Sequence, residues 1–140
     1  VSWMIEVTDR ELVPADIVGS LKKDRYGAIV TFLGIVRDFD DGRRLAFLEY
    51  EAFKDMAEKK LQEVVELVRA RWNLEDVALC HRTGRLQVGE ISLVAVVAAP
   101  HRREAFEACD YAVDTLKEIV PIWKKEIWDG GSEWVQGEDA

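Results

Sequence analysis

The chain has 140 residues, is 49% hydrophobic and 33% charged, and carries a formal net charge of −8. That size suits one domain spanning 1–140, able to bury roughly 70% of its unfolded surface without disulfide or metal staples. The acid excess argues against a general nucleic-acid or anionic-membrane binder, and no apolar run is long enough to span a bilayer.

In chain order, "WMIEV" (3–7) alternates and predicts a short strand. "PADIVGSLKK" predicts a helix with Pro14 near its start, Ile17, Val18 and Leu21 on one face, and Gly27 ending the element. "AIVTFLGIV" (28–36) is β-branched and almost wholly apolar, the signature of a buried strand. "RDFDDGRR" (37–44) is a polar turn centred on Asp41-Gly42, and "LAFLEYEA" (45–52) returns as a strand. Met56, Leu61, Val64, Val65, Val68 and Trp72 have helical spacing, with Asn73 as the stop. "VALCHRTGRL" (77–86) and "ISLVAVVAA" (91–99) are strands around a turn at Val88-Gly89-Glu90.

Pro100 then opens a long helix to about Val120, with Ala105, Phe106, Cys109, Val113, Leu116 and Val120 as its buried stripe. Pro121 cannot continue it. "IWKKEIW" and "SEWV" flank Asp129-Gly130-Gly131 as a final hairpin. The order predicts an α+β fold with a mainly antiparallel sheet and helices on one face.

Cys80 and Cys109 have neither CxxC nor zinc spacing, and His81 and His101 are the only histidines, so no metal site is expected. Cys109 shares the helical stripe and reads as a core thiol. No secretory signal is visible, and the composition reads as reduced and cytoplasmic.

Chemistry concentrates at three places. "APHRREAF" (99–106) carries His101 and Arg102 where a strand runs into a helix, and the free N–H groups of a helix start attract anions. Arg37 leaves a strand at its C-terminal end, where it serves either as a functional group or as a turn arginine paired with a neighbouring aspartate. Lys117 borders the stripe of the long helix: it acts as a partly desolvated base or nucleophile, or lays its stem on the core and its amine in water. Lys124 lies beside Trp123, either holding an anion near an aromatic wall or simply exposed.

Together, "GAIVTFLGIVRD", "LEYEAF", "HRTGRLQVGE" and "PHRREAFEACDYAVDTLKEIVPIWKKE" resemble the large, catalytic subunit of molybdopterin synthase, over roughly residues 4 to 135. Each motif alone is weak; their order and spacing are specific. The turn "DFDDGRR" is more acidic than the Asn/His-containing turn of that family.

The resemblance implies an α/β hammerhead-type domain with an added β subdomain. It implies sulfur transfer to cyclic pyranopterin monophosphate (precursor Z) from a small ubiquitin-like subunit ending in a Gly-Gly thiocarboxylate. No cofactor is implied. The assembly would be a heterotetramer built on a homodimer of large subunits. Lys117 and Lys124 would be the catalytic pair, with Arg37, His101 and Arg102 binding substrate. The rival expectation is a non-catalytic anion-binding or regulatory α+β module.

Overall fold

The computed structural model describes residues 3–40, 42–74 and 76–136; the predicted turn residue Asp41 lies outside them. Two sheets share one core. The first has strand order β1-β5-β7-β2, formed by β1 (Trp3–Thr8), β2 (Ala28–Ile35), β5 (Val77–Arg82) and β7 (Ile91–Ala99). Its β1–β5 pair is parallel, while β5–β7 and β7–β2 are antiparallel. The second sheet runs β3 (Phe39–Asp40), β4 (Arg43–Ala52), β8 (Ile122–Trp128) and β9 (Gly131–Gln136). Strand β6 (Gly84–Gln87) joins it along β4.

The predicted strand 77–86 is therefore two strands in two sheets. Thr83 still donates its N–H to the Thr8 carbonyl of the first sheet (2.7 Å). Gly84 then takes φ 89°, a left-handed conformation that only glycine adopts cheaply, and turns the chain toward β4. The return from β2 is likewise a change of sheet, since β2 pairs with β7 and β4 pairs with β3, β6 and β8. The final hairpin is as predicted, with Trp128 paired to Gly131.

Helices cover both faces of the first sheet, not one. The long helices α2 (Lys54–Trp72) and α3 (Arg102–Ile119) lie on the face of Val77, Leu79, Leu93, Ala95 and Val97, within the main core. Helix α1 (Pro14–Leu21) takes the opposite face, where Ile17 and Leu21 meet Ala78, Cys80, Val94 and Val96. Alternation along β5 and β7 requires this result: both strands are apolar at successive positions, so each face needs a cover. Helix α1 stops at Leu21, well before Gly27. Asn73, at φ 55°, closes α2 with its N–H on the Arg69 carbonyl.

Three burial expectations are corrected. Met56 and Phe106 are exposed, and Ala57 and Ala108 occupy the buried positions beside them. The alanines Ala105, Ala108 and Ala112 let α3 sit close on its neighbours. Strand β2 is an edge strand with one open face, on which Leu33 and Ile35 are exposed. Edge position, rather than composition, decides its burial.

Candidate active site

Helix α3 presents its two ends to the candidate chemistry. His101 is its N-cap in extended conformation (φ −129°, ψ 147°), with no side-chain capping bond. His101 and Arg102 are both exposed at this positive helix end. The His101 side chain makes no capping bond, and Arg102, a donor only, cannot make one. At the other end, the Val120 N–H bonds the Leu116 carbonyl (2.9 Å) and Pro121 prevents continuation. Lys117 is half-buried in this last turn, where a cation suits the helix dipole. Its Nζ lies 6.0 Å from the Phe32 ring centroid, the outer limit of a cation–π contact, and so faces β2.

Lys124 is buried, at 7% exposure, and does not share a face with Trp123. Successive residues of β8 point to opposite faces, so Ile122, Lys124 and Glu126 look into the core while Trp123 looks out. The Lys124 Nζ lies 4.0 Å from the Glu126 Oε2, and Glu126 is 2% exposed. Across the β4–β8 pairing, Tyr50 sits opposite Lys124. The Tyr50 ring meets the buried His81 edge-on at 5.1 Å. His81 Nδ1 is 2.8 Å from the Arg82 carbonyl; a carbonyl only accepts, so Nδ1 carries the proton.

Glu126, Tyr50 and His81 were not among the predicted site residues. The two-residue step from Lys124 to Glu126 on a strand was the available signal, because it puts both on one face.

The remaining predicted groups are dispersed. Arg37 is exposed two residues beyond β2, and its neighbour Val36 is anchored by bonds with Glu90 (3.0 Å) and Gly89 (2.8 Å). Arg102 and Lys117 occupy opposite ends of one unbroken helix, fifteen residues and roughly 22 Å apart along its axis.

Two concavities adjoin these elements. A groove of about 210 Å³ runs between β2 and α3, lined by Val30, Phe32, Phe106, Cys109 and Val113. A larger cleft of about 410 Å³ lies against the outer face of β8, lined by Tyr50, Glu51, Phe53, Thr83 and Trp123 among others. Neither is lined by Arg37, His101, Arg102 or Lys117.

The two cysteines are inert. Burial pushes the Cys80 thiol up to about 12, with the Glu6 carboxylate adding to the effect. Burial, reinforced by Asp110, pushes Cys109 up to about 11. Neither is a thiolate at neutral pH, so neither is a ready sulfur nucleophile. No cluster of metal-ligating side chains occurs among the described residues.

The fold and site define a class: an α+β protein of two sheets, acidic overall, that holds one lysine in its core and further cations at the ends of a single helix. The chain belongs to the MoaE protein family, whose sequence profile matches residues 7–119. It is 41% identical to the molybdopterin synthase catalytic subunit of Thermoplasma volcanium over 132 residues, covering 94% of this chain and 96% of the relative.

Its structure superposes on the crystal structure of molybdopterin synthase from Staphylococcus aureus with a TM-score of 0.90 and 38% identity, covering 93% of this chain and 95% of the other. The complex of subunits 1 and 2 of the molybdopterin-converting factor from Helicobacter pylori shares the fold at a TM-score of 0.74 and 18% identity, covering 95% and 89%.

Proposed function

We propose that this chain is the catalytic subunit of a molybdopterin synthase. It moves sulfur from the C-terminal thiocarboxylate of a small ubiquitin-like subunit to precursor Z, building the dithiolene of molybdopterin. The observation that carries the reading is Lys124, a lysine buried beside Glu126 in a chain of net charge −8. Burying a cation is costly, and replacement by an apolar residue of similar volume is often neutral or stabilising. Together with Lys117, half-buried at the end of α3, it suits chemistry on anions, and both the phosphate and the thiocarboxylate are anions.

In this reading the thiocarboxylate sulfur bonds to a pyran-ring carbon of precursor Z as a C–O bond at that carbon breaks and its oxygen leaves as water or as a phosphate oxygen. Water then cleaves the acyl–sulfur bond, so the sulfur stays on the pterin and the donor leaves as a carboxylate. Lys117 moves the proton or transiently captures the donor carbonyl. Lys124 orients the anions and stabilises the developing oxyanion, its own position set by Glu126. His101, Arg102 and Arg37 bind the substrate phosphate. Since Cys80 and Cys109 stay protonated, the sulfur passes directly from the partner and does not rest on this chain.

The site is shared between two copies. A compact pterin cannot bridge the roughly 22 Å between Arg102 and Lys117 of one helix. A second copy laid antiparallel across the groove between β2 and α3 would bring its own Arg102 to the first copy's Lys117. Phe106, exposed and apolar where it lines that groove, suits burial between copies. One small subunit at each end completes a heterotetramer. The assembly works in the cytoplasm as one domain per chain; no helix among the described residues is long and apolar enough to cross a membrane.

The test is reconstitution: the purified chain, a thiocarboxylated small subunit and precursor Z should together yield molybdopterin. Binding of precursor Z without conversion would favour an anion-binding module instead.

A further inference from the structure

One buried acid is used by none of this chemistry. Asp76 is fully buried just before β5. Its carboxylate accepts the Tyr26 hydroxyl and faces the Lys23 Nζ at 3.3 Å, with the Arg25 guanidinium at 3.9 Å. Lys23, Arg25 and Tyr26 all belong to the segment between α1 and β2. An acid buried to this degree needs such partners, and it can gather a loop around itself.

What the loop touches gives the cluster a direction. Gly27, next to Tyr26, donates its N–H to the Ala99 carbonyl (3.2 Å). A Cβ on Gly27 would stand 2.4 Å from the Pro100 carbonyl oxygen, so the two backbones are in direct contact. From the other side, the Asp76 carbonyl accepts the Ala98 N–H (3.0 Å). Asp76 thus holds residues 98–100 twice, once through its backbone and once through Tyr26 and Gly27. The next residues are His101 and Arg102. Among the described residues neither exposed side chain makes a hydrogen bond or ion pair that would orient it, so the backbone entering α3 sets where they point.

We infer that Tyr26 and Asp76 are positioning residues: they set the Pro100 junction that aims His101 and Arg102 at the substrate phosphate. The inference rests on the phosphate-binding role proposed for Arg102. A misaimed phosphate contact is lost from ground state and transition state alike, so KM rises while kcat holds.

The experiment is a double-mutant cycle in the reconstituted synthase, with kcat and KM measured for precursor Z. Tyr26→Phe removes only the hydroxyl. It should raise KM about tenfold and leave kcat within about twofold. In an Arg102→Ala background the same change should raise KM by clearly less than in wild type, the remainder coming from His101, since residues acting through one contact are non-additive. Asp76→Asn, which keeps the side-chain volume, should behave in the same way.

An unchanged KM in Tyr26→Phe, with Arg102→Ala impaired, overturns the positioning role and leaves the phosphate role standing. Equal losses from Tyr26→Phe in both backgrounds mean a general structural role and also overturn it. A normal KM in Arg102→Ala removes the phosphate role and the inference with it.

Discussion

The Lys124 amine and the Glu126 carboxylate face each other 4.0 Å apart in the core, two residues apart on one strand. Removing Glu126 strands the Lys124 charge away from water, which costs about 3–5 kcal/mol. Glu126→Ala should therefore lower the unfolding free energy by that order, measured by urea denaturation. A loss below about 1 kcal/mol would mean that the pair is effectively solvated. Lys124→Ala should be both inactive and destabilised, so its activity must be read at a temperature where the variant is folded.

Lys117 differs because it is half-buried and its amine faces the Phe32 ring. Lys117→Ala should lower turnover on the order of 10²–10⁴-fold, the range for loss of a group that moves a proton in the transition state. Its melting temperature should stay near wild type. Lys117→Arg should not rescue turnover, because a guanidinium keeps its proton.

Trp134 on the outer face of the last hairpin is the anchor proposed for the small subunit. Trp134 is 47% exposed, with the Lys125 amine 5.6 Å from its ring centroid. Trp128 is half-buried, and the Arg43 guanidinium stacks 3.9 Å from its ring centroid. Trp134 is thus the freer anchor. Trp134→Ala should weaken small-subunit binding by about 2 kcal/mol, or roughly thirtyfold in Kd by calorimetry, while Trp128→Ala should act mainly on stability.

The buried thiols make stability depend on alkaline pH. Cys80 and Cys109 have folded-state pKa values raised from 9.0 to about 12 and about 11. Tyr26 is raised as well, by burial and then by its bond to Asp76. An acid with a raised folded pKa contributes stability that is full below its unfolded pKa and is lost as pH rises through the folded one. Unfolding free energy should fall from pH 9.0 toward 11, and Cys109→Ala should flatten that slope in a denaturation series. Neither thiol should react with a thiol reagent in the native state at neutral pH.

Much of the fold was legible because its signals are local. Pro14, Asn73 and Pro121 mark element ends through backbone chemistry that the fold does not override. Where tertiary placement decides, the local pattern does not show the outcome. An apolar strand reads as buried, yet β2 lies at a sheet edge, and no local signal records which strand will be its neighbour. Large side chains drew the helical stripe toward Phe106, when small ones, Ala108 and Ala112, were what close packing needed. The site divides in the same way. Helical spacing places Lys117 at the border of the buried stripe, and only the family resemblance gives it a chemical role. Lys124 could be read as exposed until its face of β8 was known, and Glu126, two residues on, shows which face that is.

A shared site makes a distinctive prediction. At precursor Z well below KM, where the raised KM of Arg102→Ala leaves it nearly silent and Lys117→Ala does not turn over, the two chains mixed and allowed to exchange subunits should regain activity, since each heterodimer holds one intact pocket. Absence of recovery despite demonstrated exchange would place the whole site within one chain.

Sulfur transfer itself is tested most directly by following the atom. A small subunit carrying a labelled thiocarboxylate sulfur is incubated with the wild-type chain and precursor Z, and label is counted in the isolated pterin. Two labelled sulfurs should appear per pterin, one from each donor, and the label should stay on the donor with Lys117→Ala. Label that remains on the small subunit with the wild-type chain, or reaches the pterin equally well with Lys117→Ala, would contradict the catalytic role.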